Sequence, residues 1–336
     1  MSAGTVAIVH GQVSATAPAD EKDTLVEAEA VREALRRLGY ATFDVAVSLD
    51  LTRAAAALRA GAPDFAFNLA ETVDGKGSLI HLPPTLLDSL GIPYTGASCE
   101  AIVLTSHKLL GKKTLGAGGI DTPPWATAAR ALRDGLGSPF PWIVKSVWEH
   151  ASIGLEDSAV VHSLPELAAE VAQRTGRETV EHLFVEGFVE GREFNIALLG
   201  GEPEPCVLPP AEIRFVGYPE GKPHVVSYKA KWDQDSFEYG GTVRAFDFPG
   251  EDQALLARLA SVSRACWRLF ELRGYARVDF RVDVTGRPWV LEINTNPCIS
   301  PDAGFMATAA QAGLTIDDVV GRIVADTKRA GGCNKC

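Results

Sequence analysis

Four polar side chains near the end of the chain have the types and spacing to hold a phosphate group and its metal. Arg277 and Asp279 are separated by one apolar residue, and Glu292 and Asn294 are separated in the same way. Successive strand residues point to opposite faces, so each pair shares a face while apolar residues such as Leu291 turn away. Carboxylate and amide oxygens suit Mg²⁺, and a neighbouring arginine suits a phosphoryl group. The alternative is an ordinary half-buried strand pair with a solvated polar face.

A Thr-Gly step at residues 285–286 separates these two segments and predicts that they form a hairpin. Other charged residues upstream could reach the same ligand. Lys145 ends an apolar strand segment, where a lysine must either extend to solvent or meet an anion. Lys108 and Lys231 could contact phosphates, and Glu186 and Glu193 could accept hydrogen bonds from a ribose or an adenine. Taken singly, each of these residues is equally compatible with a solvated surface position.

The elements that would position these residues begin with an alternating pattern. We predict strands at residues 5–10, 41–47 and 64–69 and helices at residues 25–38 and 51–60. Strand and helix alternating in this way predict a parallel α/β sheet. Ligands of such sheets bind at the carboxyl ends of the strands, which is where Asn68, Glu71 and Thr72 lie.

The remainder of the chain is more varied. We predict a helix at residues 101–115 that contains Lys108, a strand at 141–147, a hairpin formed by 183–189 and 192–199, and a helix at 253–272. Residues 209–239 are rich in Pro, Gly and aromatic residues, and such long irregular segments are often lids over active sites. Thr315 and Asp318 predict a capped start for the last helix.

Composition excludes several classes of function. The chain has 336 residues and a formal net charge of −11, which argues against a nucleic-acid binder. We find no apolar run of membrane-spanning length and no secretory signal. Six cysteines are scattered, and the lone pair Cys333 and Cys336 is weak support for a metal site. We therefore expect a cytoplasmic protein with reduced thiols and no membrane partner.

The order of these motifs resembles one family along nearly the whole chain. The motifs include Phe67-Asn68-Leu69, the segment 91–96 (Gly-Ile-Pro-Tyr-Thr-Gly), Arg277-Val278-Asp279 and the segment 292–295 (Glu-Ile-Asn-Thr). They are similar to those of the ATP-grasp superfamily and, within it, of the D-alanine–D-alanine ligase family. The resemblance implies an N-terminal parallel-sheet α/β domain followed by two α+β domains that enclose the nucleotide. The implied boundaries are 1–96, 97–181 and 182–330, with a disordered tail at 331–336.

The resemblance also implies a role for each candidate residue. ATP would contact Lys108, Lys145, Ser152, Ile153, Gly154, Glu186, Val189, Glu193 and Lys231. Two Mg²⁺ ions, replaceable by Mn²⁺, would be held by Asp279, Glu292 and Asn294. Arg277, Lys231 and Ser152 would act on the reacting phosphoryl group. The implied activity joins a carboxylate to an amine through an acyl phosphate, and family members are expected to be homodimers.

The departures from the family pattern concern the small-molecule substrates. Thr16 stands where the family has an acid that holds an ammonium group, and the family's His-Gly after the third strand is absent. Candidate substrate residues are Glu71, His150, Trp232, Cys298 and Ser300. Three hypotheses therefore stay open: a D-alanine–D-alanine ligase, a ligase of other amino-acid-like substrates in a specialised pathway, and an ATP-binding module without turnover.

Overall fold

We analysed a computed structural model of the chain, which describes residues 3–14, 16–148, 155–176 and 179–333, the last five by their backbone alone. The described residues form three sheets and enclose a cavity. Among the described helices, none is long and apolar enough to cross a bilayer.

The N-terminal sheet is parallel, as predicted. Its strands are β1 (Thr5–Gly11), β2 (Ala41–Val47) and β3 (Phe65–Asn68), in the order β2-β1-β3. The accompanying helices are α1 (Ala19–Arg37), α2 (Leu51–Gly61) and α3 (Leu82–Leu90). Helix α1 begins six residues before the predicted start, because acidic side chains in the first turn interact favourably with the helix dipole.

The central sheet has four strands in the order β4-β7-β5-β6. The strands are β4 (Trp125–Thr127), β5 (Trp142–Ser146), β6 (Val160–Val161) and β7 (Leu183–Gly187). The helices are α4 (Cys99–Ser106), α5 (Lys108–Ala117), α6 (Ala128–Asp134) and α7 (Leu164–Thr175). The single helix predicted at 101–115 is wrong: His107 is extended and its side chain caps α5, so Lys108 begins a helix rather than lying inside one.

The third sheet has six strands. They are β8 (Arg192–Leu199), β9 (Cys206–Val207), β10 (Ala211–Phe215), β11 (Thr242–Ala245), β12 (Tyr275–Val282) and β13 (Pro288–Asn294). The order is β11-β10-β8-β12-β13, with β9 also paired to β8. The helices of this part are α8 (Tyr228–Trp232), α9 (Phe237–Gly241), α10 (Gln253–Leu269), α11 (Gly304–Gln311) and α12 (Ile316–Cys333).

The hairpin predicted from 183–189 and 192–199 does not form. Strand β7 lies between β4 and β5, and β8 lies between β10 and β12, so the two consecutive strands belong to different sheets. Both edges of each strand are already paired, which leaves neither free to bind the other. The chain passes from one sheet to the next at Gly191, whose φ is 138° and where a Cβ would lie 2.1 Å from the Val282 carbonyl oxygen.

The segment predicted to be irregular, 209–239, contains β10 and two short helices. Ser227 and Ser236 cap α8 and α9 through their hydroxyl groups, and these caps explain how such short helices form. Thr315 and Asp318 form the predicted reciprocal cap at the start of α12. Helix α12 continues to Cys333, so residues 331–333 are helical rather than disordered, and residues 334–336 lie outside the described part.

Two buried apolar layers support the cavity. One joins the N-terminal sheet and α1 to Phe305 of α11 and to α12, so the two ends of the chain share a core. The other lies beneath β8 and the β12–β13 hairpin and includes Val278, Phe280 and Ile293. Packed apolar layers of this kind hold the polar faces above them in fixed positions.

Candidate active site

The cavity between the sheets has a volume of about 570 Å³, which is the size of a typical small-molecule site. Side chains of the central and third sheets line it, together with residues of α1 and of the loop after β3. Of the predicted site residues, those lining it are Glu71, Lys108, Lys145, Glu186, Val189, Glu193, Lys231, Trp232, Arg277, Asp279, Glu292, Asn294 and Cys298. The predicted residues His150, Ser152, Ile153 and Gly154 lie outside the described residues.

The β12–β13 hairpin brings its four polar residues together. Arg277 is opposite Asn294 and Asp279 is opposite Glu292, so the two polar faces coincide on the cavity wall. The predicted orientation of Leu291 is wrong. A register shift between Asp279 and its neighbour leaves Leu291 as the extra residue of a bulge, and Leu291 lines the cavity too.

Arg277 and Asp279 form a two-point ion pair within this face. The Arg277 Nε and Nη2 atoms donate to the two Asp279 oxygens at 2.7 and 2.8 Å, and Asn195 Nδ2 also donates to Asp279 at 2.8 Å. Burial alone would lower the pKa of Arg277, but Asp279 raises it above its usual value. Glu292 lies 3.3 Å from the Lys108 ammonium. Hard oxygen donors and fixed cations therefore stand side by side.

A buried carboxylate on β7 is held between two lysines. Glu186 is 1% exposed, and its two oxygens each lie 2.5 Å from an ammonium nitrogen, one from Lys145 and one from Lys112. Burial would raise the pKa of Glu186, but these two cations lower it. Sequence reasoning missed Lys112, because one lysine on a predicted helix is usually solvated and nothing in its spacing marks it as buried.

A second carboxylate, Glu193, lies further along the cavity wall. It pairs with Arg281 at 2.9 Å, and Arg281 is another residue that the sequence did not identify. Burial raises the pKa of Glu193, and Arg281 partly offsets that rise. Val189 adds an apolar side chain to the wall between Glu186 and Glu193. This stretch offers an apolar surface flanked by hydrogen-bond acceptors, which suits a planar base joined to a sugar.

Helix α8 covers the cavity and carries Lys231 and Trp232. Burial lowers the pKa of Lys231, and the nearby Arg277 lowers it further. The Tyr228 hydroxyl donates to Asp20 Oδ1 at 3.1 Å, which ties α8 to the start of α1. Val225, just before α8, packs against Ile143 of the central sheet. The lid predicted from this segment therefore contacts α1 on one side and the central sheet on the other.

The opposite end of the cavity is lined by acids of α1 that the sequence analysis did not select. Asp20, Glu21 and Asp23 line the wall. Asp23 Oδ2 accepts hydrogen bonds from Ser300 Oγ and Cys298 Sγ, both at 3.0 Å. Ser300 is fully buried behind the cavity wall. It can therefore affect the site through its hydrogen bond to Asp23, which lines the wall.

Two further carboxyl groups lie close by. Glu27 accepts from the Ile299 amide at 2.7 Å, and the ligand atoms of Glu27, Glu71 and Cys298 all lie within 4.8 Å of one another. Burial raises the pKa of Glu71 to about 7; Arg277 opposes the rise and Asp23 adds to it. Burial and Glu27 also raise the pKa of the Cys298 thiol, which keeps it protonated. The sequence signal for the α1 acids Asp20, Asp23 and Glu27 is their three- and four-residue spacing along one helix face.

Comparison with known proteins gives the family. The family model described as D-ala D-ala ligase C-terminus matches residues 128–325. A D-alanine–D-alanine ligase of Stutzerimonas stutzeri is 32% identical over 334 residues, which is 98% of this chain and 96% of the relative. The chain belongs to the D-alanine–D-alanine ligase family. It is therefore an ATP-dependent ligase that forms carbon–nitrogen bonds.

Other known proteins are similar to this chain at comparable levels. The ligase of Aquifex aeolicus is 28% identical and covers 90% of this chain and 94% of its own length. An uncharacterized protein y4sG of Sinorhizobium fredii is 31% identical over 77% of this chain and 73% of its own. The ATP complex of the Bacillus anthracis ligase shares the fold, with a TM-score of 0.73, 21% identity, 99% of this chain covered and 100% of that one.

Proposed function

We propose that this enzyme joins two amino-acid-like substrates by a peptide bond, using ATP to form an acyl phosphate, as a D-alanine–D-alanine ligase does. One observation carries the proposal. The polar face of the β12–β13 hairpin, Lys108 of α5 and Lys145 of β5 line the same cavity. Such a combination of carboxylates and cations suits transfer of a phosphoryl group between two anions.

The proposed nucleotide contacts follow the cavity wall. Glu186 and Val189 would face the adenine, and Glu193 would accept from the ribose. Lys108 and Lys145 would contact the phosphates, and the loop with Ser152, Ile153 and Gly154 would cover them. The lid lysine Lys231 would face the transferred phosphoryl group. Support comes from the cavity lining for all but the loop residues.

Asp279, Glu292 and Asn294 would hold Mg²⁺. Their oxygen donors are of the kind that Mg²⁺ takes in phosphate-binding sites, and they converge on one face, so the residues fit the ion. When bound, the metal supplies positive charge that reduces repulsion between an attacking carboxylate and the phosphates. We propose two ions and expect Mn²⁺ to replace them.

In the proposed reaction, the carboxylate of the first substrate attacks the γ-phosphorus and ADP leaves. The amine of the second substrate attacks the acyl carbon, inorganic phosphate departs, and the amine loses a proton. Arg277 and Lys231 stabilise the negative charge that develops on the oxygens during both steps. Helix α8, tied to α1 through Tyr228 and Asp20, excludes water that would hydrolyse the acyl phosphate.

The end of the cavity that is lined by the α1 acids, here called the substrate end, favours a second candidate. This candidate has the same chemistry but is a ligase for amino-acid-like substrates other than D-alanine. The family pattern has an acid at the position of Thr16, which is a threonine in this chain. Here the acids at this end of the cavity lie on α1 instead, and one of them, Asp23, accepts hydrogen bonds from Ser300 and Cys298. This difference favours the second candidate. Glu71, His150 and Trp232 would add further contacts to these substrates. The intact hairpin face argues against a non-catalytic binding module.

The test is phosphate release from MgATP with a panel of D- and L-amino acids, with products identified by mass spectrometry. We expect at least one pair of amino acids to stimulate release and to give a dipeptide. D-alanyl-D-alanine as the main product supports the first candidate, and another dipeptide supports the second. Phosphate release that no carboxylate stimulates would overturn the proposal.

We also propose where the enzyme acts, how it assembles and how the chain divides into domains. The enzyme would act in the cytoplasm and as a homodimer. It would divide into segments 1–96, 97–181 and 182–330, although the pairing of β7 with β4 and β5 moves the second boundary past Gly187. Sedimentation analysis of the full chain would test the dimer directly.

A further inference from the structure

Lys112 is a buried cation that the proposed chemistry does not use. It is 2% exposed, lies on α5, and forms its ion pair with Glu186 at 2.5 Å. Its ammonium also donates to Thr122 Oγ1 at 2.9 Å and to the Leu291 carbonyl oxygen at 3.5 Å. Three different parts of the fold therefore fix its position, and the side chain does not line the main cavity.

Lys145 contacts the same carboxylate from the other side and differs from Lys112 in its access to the cavity. It is 19% exposed, lines the cavity and reaches Glu186 Oε1 at 2.5 Å. Burial lowers the pKa of Lys112, Glu186 opposes that fall and Lys145 adds to it. A single carboxylate cannot neutralise two ammonium groups, so with both lysines protonated this cluster carries one excess positive charge. The excess charge lies on the side where, under the proposed function, the phosphates of ATP bind.

We infer that Lys112 is a positioning residue that allows Lys145 to leave Glu186 and contact a nucleotide phosphate. Removing the sole partner of a buried carboxylate leaves an uncompensated charge, which is strongly unfavourable. Lys112 supplies Glu186 with a permanent partner, so Lys145 can move without exposing Glu186 to that penalty. Without Lys112, Glu186 and Lys145 would form a closed neutral pair, and the carboxylate would compete with phosphate for the lysine.

The two lysines thus have different tasks in one cluster. Both ammonium groups lower the pKa of Glu186, and the contribution of Lys112, which is the larger of the two, stays in place when Lys145 is displaced. The inference rests on the proposed nucleotide contacts of Lys145. The inference about Lys112 concerns affinity for phosphate, whereas the proposed function concerns turnover to a peptide bond. Binding and turnover are measured separately, so one proposal can be wrong while the other holds.

The experiment compares ADP with adenosine, because adenosine lacks the phosphates that Lys145 would meet. Displacement of a fluorescent ADP analogue from full-length K112M gives both dissociation constants. We expect ADP to bind about tenfold more weakly and adenosine to bind within about twofold of wild type. The conservative variant K112R, which keeps the charge, should recover most of the ADP affinity.

Combining K112M with a second substitution, E186Q, provides a test that still applies if K112M alone is poorly folded. In E186Q the competing carboxylate is gone, so adding K112M should change the ratio of ADP to adenosine affinity by less than about twofold. Thermal unfolding of each variant reports its folding. Equal weakening of ADP and adenosine in K112M, unchanged ADP binding, or an undiminished effect of K112M in the E186Q background would each overturn the inference.

Discussion

The two ends of the cavity balance their charges in opposite ways. At the end where we propose that the nucleotide binds (the nucleotide end), Glu186 lies between two lysines and Asp279 forms an ion pair with Arg277. At the substrate end, Glu71 lies near other carboxyl groups, and burial raises its pKa to about 7. Paired acids at one end and crowded acids at the other indicate different ligands: an anion with its metals at the first, and a cationic group at the second.

The comparison separates shared chemistry from specificity. The pKa of Glu186 is lowered and that of Glu71 is raised, although both side chains are buried, because their charged neighbours differ. Under the proposed function, the nucleotide end would serve any ligase that activates a carboxylate with ATP. The substrate end would decide which amino-acid-like molecules enter, and it is the part that departs from the family pattern.

The largest expected effect is at the nucleotide end. Changing Arg277 to Met should reduce kcat by about 10² to 10³-fold, because it removes a cation from the developing charge and leaves Asp279 without its two-point partner. Steady-state phosphate release measures the loss. R277K keeps the charge without the paired geometry and should recover only part of the activity. Wild-type kcat in R277M would contradict the assignment.

The next effect concerns pH at the substrate end. Glu71 has a pKa of about 7, so its carboxylate is mainly protonated below that value and charged above it. If it binds an ammonium group, the KM of the amino-acid substrate should fall as pH rises from about 6 to about 8. In E71Q the side chain is neutral at every pH, and this dependence should flatten while the KM for ATP stays within about twofold. A pH profile that E71Q leaves intact would show that another group titrates.

A smaller effect is expected from Asp23. D23N removes the charge that accepts from Ser300 and Cys298, and a hydrogen bond to a charged group contributes about 1.5–3 kcal/mol. The KM for the amino-acid substrate should rise by about tenfold, with little change in the KM for ATP. Asp50 is exposed, and D50N serves as a matched control. Equal changes in both KM values would indicate a general structural defect.

The smallest effect is expected at Cys298. Its raised thiol pKa keeps the thiolate scarce, so the residue is not a nucleophile, and C298S preserves a hydrogen-bond donor to Asp23. Turnover should remain within about threefold of wild type. Mass spectrometry during turnover should detect no acyl group on this cysteine, and an acylated thiol would refute this view.

The sequence predicted the β12–β13 hairpin well because its information is local. Alternation placed Arg277 and Asp279 on one face, and a short turn left few ways to pair the two strands. The same alternation misassigned the partners of β7 and β8, since periodicity shows which face is buried but not which strand lies alongside.

The missed site residues share a physical reason. Asp20 and Asp23 precede the apolar periodicity of α1, so the helix predicted at 25–38 begins after them and leaves them out. Lys112 lies on a helix that the sequence joined to the preceding one, and its burial depends on contacts with Thr122 and Leu291, which are distant in sequence. Such contacts are set by tertiary packing, which composition and spacing do not encode.

The central claim is that Asp279, Glu292 and Asn294 form a metal site beside the nucleotide phosphates. Electron paramagnetic resonance of Mn²⁺, titrated with a non-hydrolysable ATP analogue, measures that site without requiring turnover. We predict that wild-type protein binds Mn²⁺ tightly with the analogue, and that E292Q loses this binding while the exposed-residue control E251Q keeps it. Identical Mn²⁺ binding by wild type and E292Q would contradict the account.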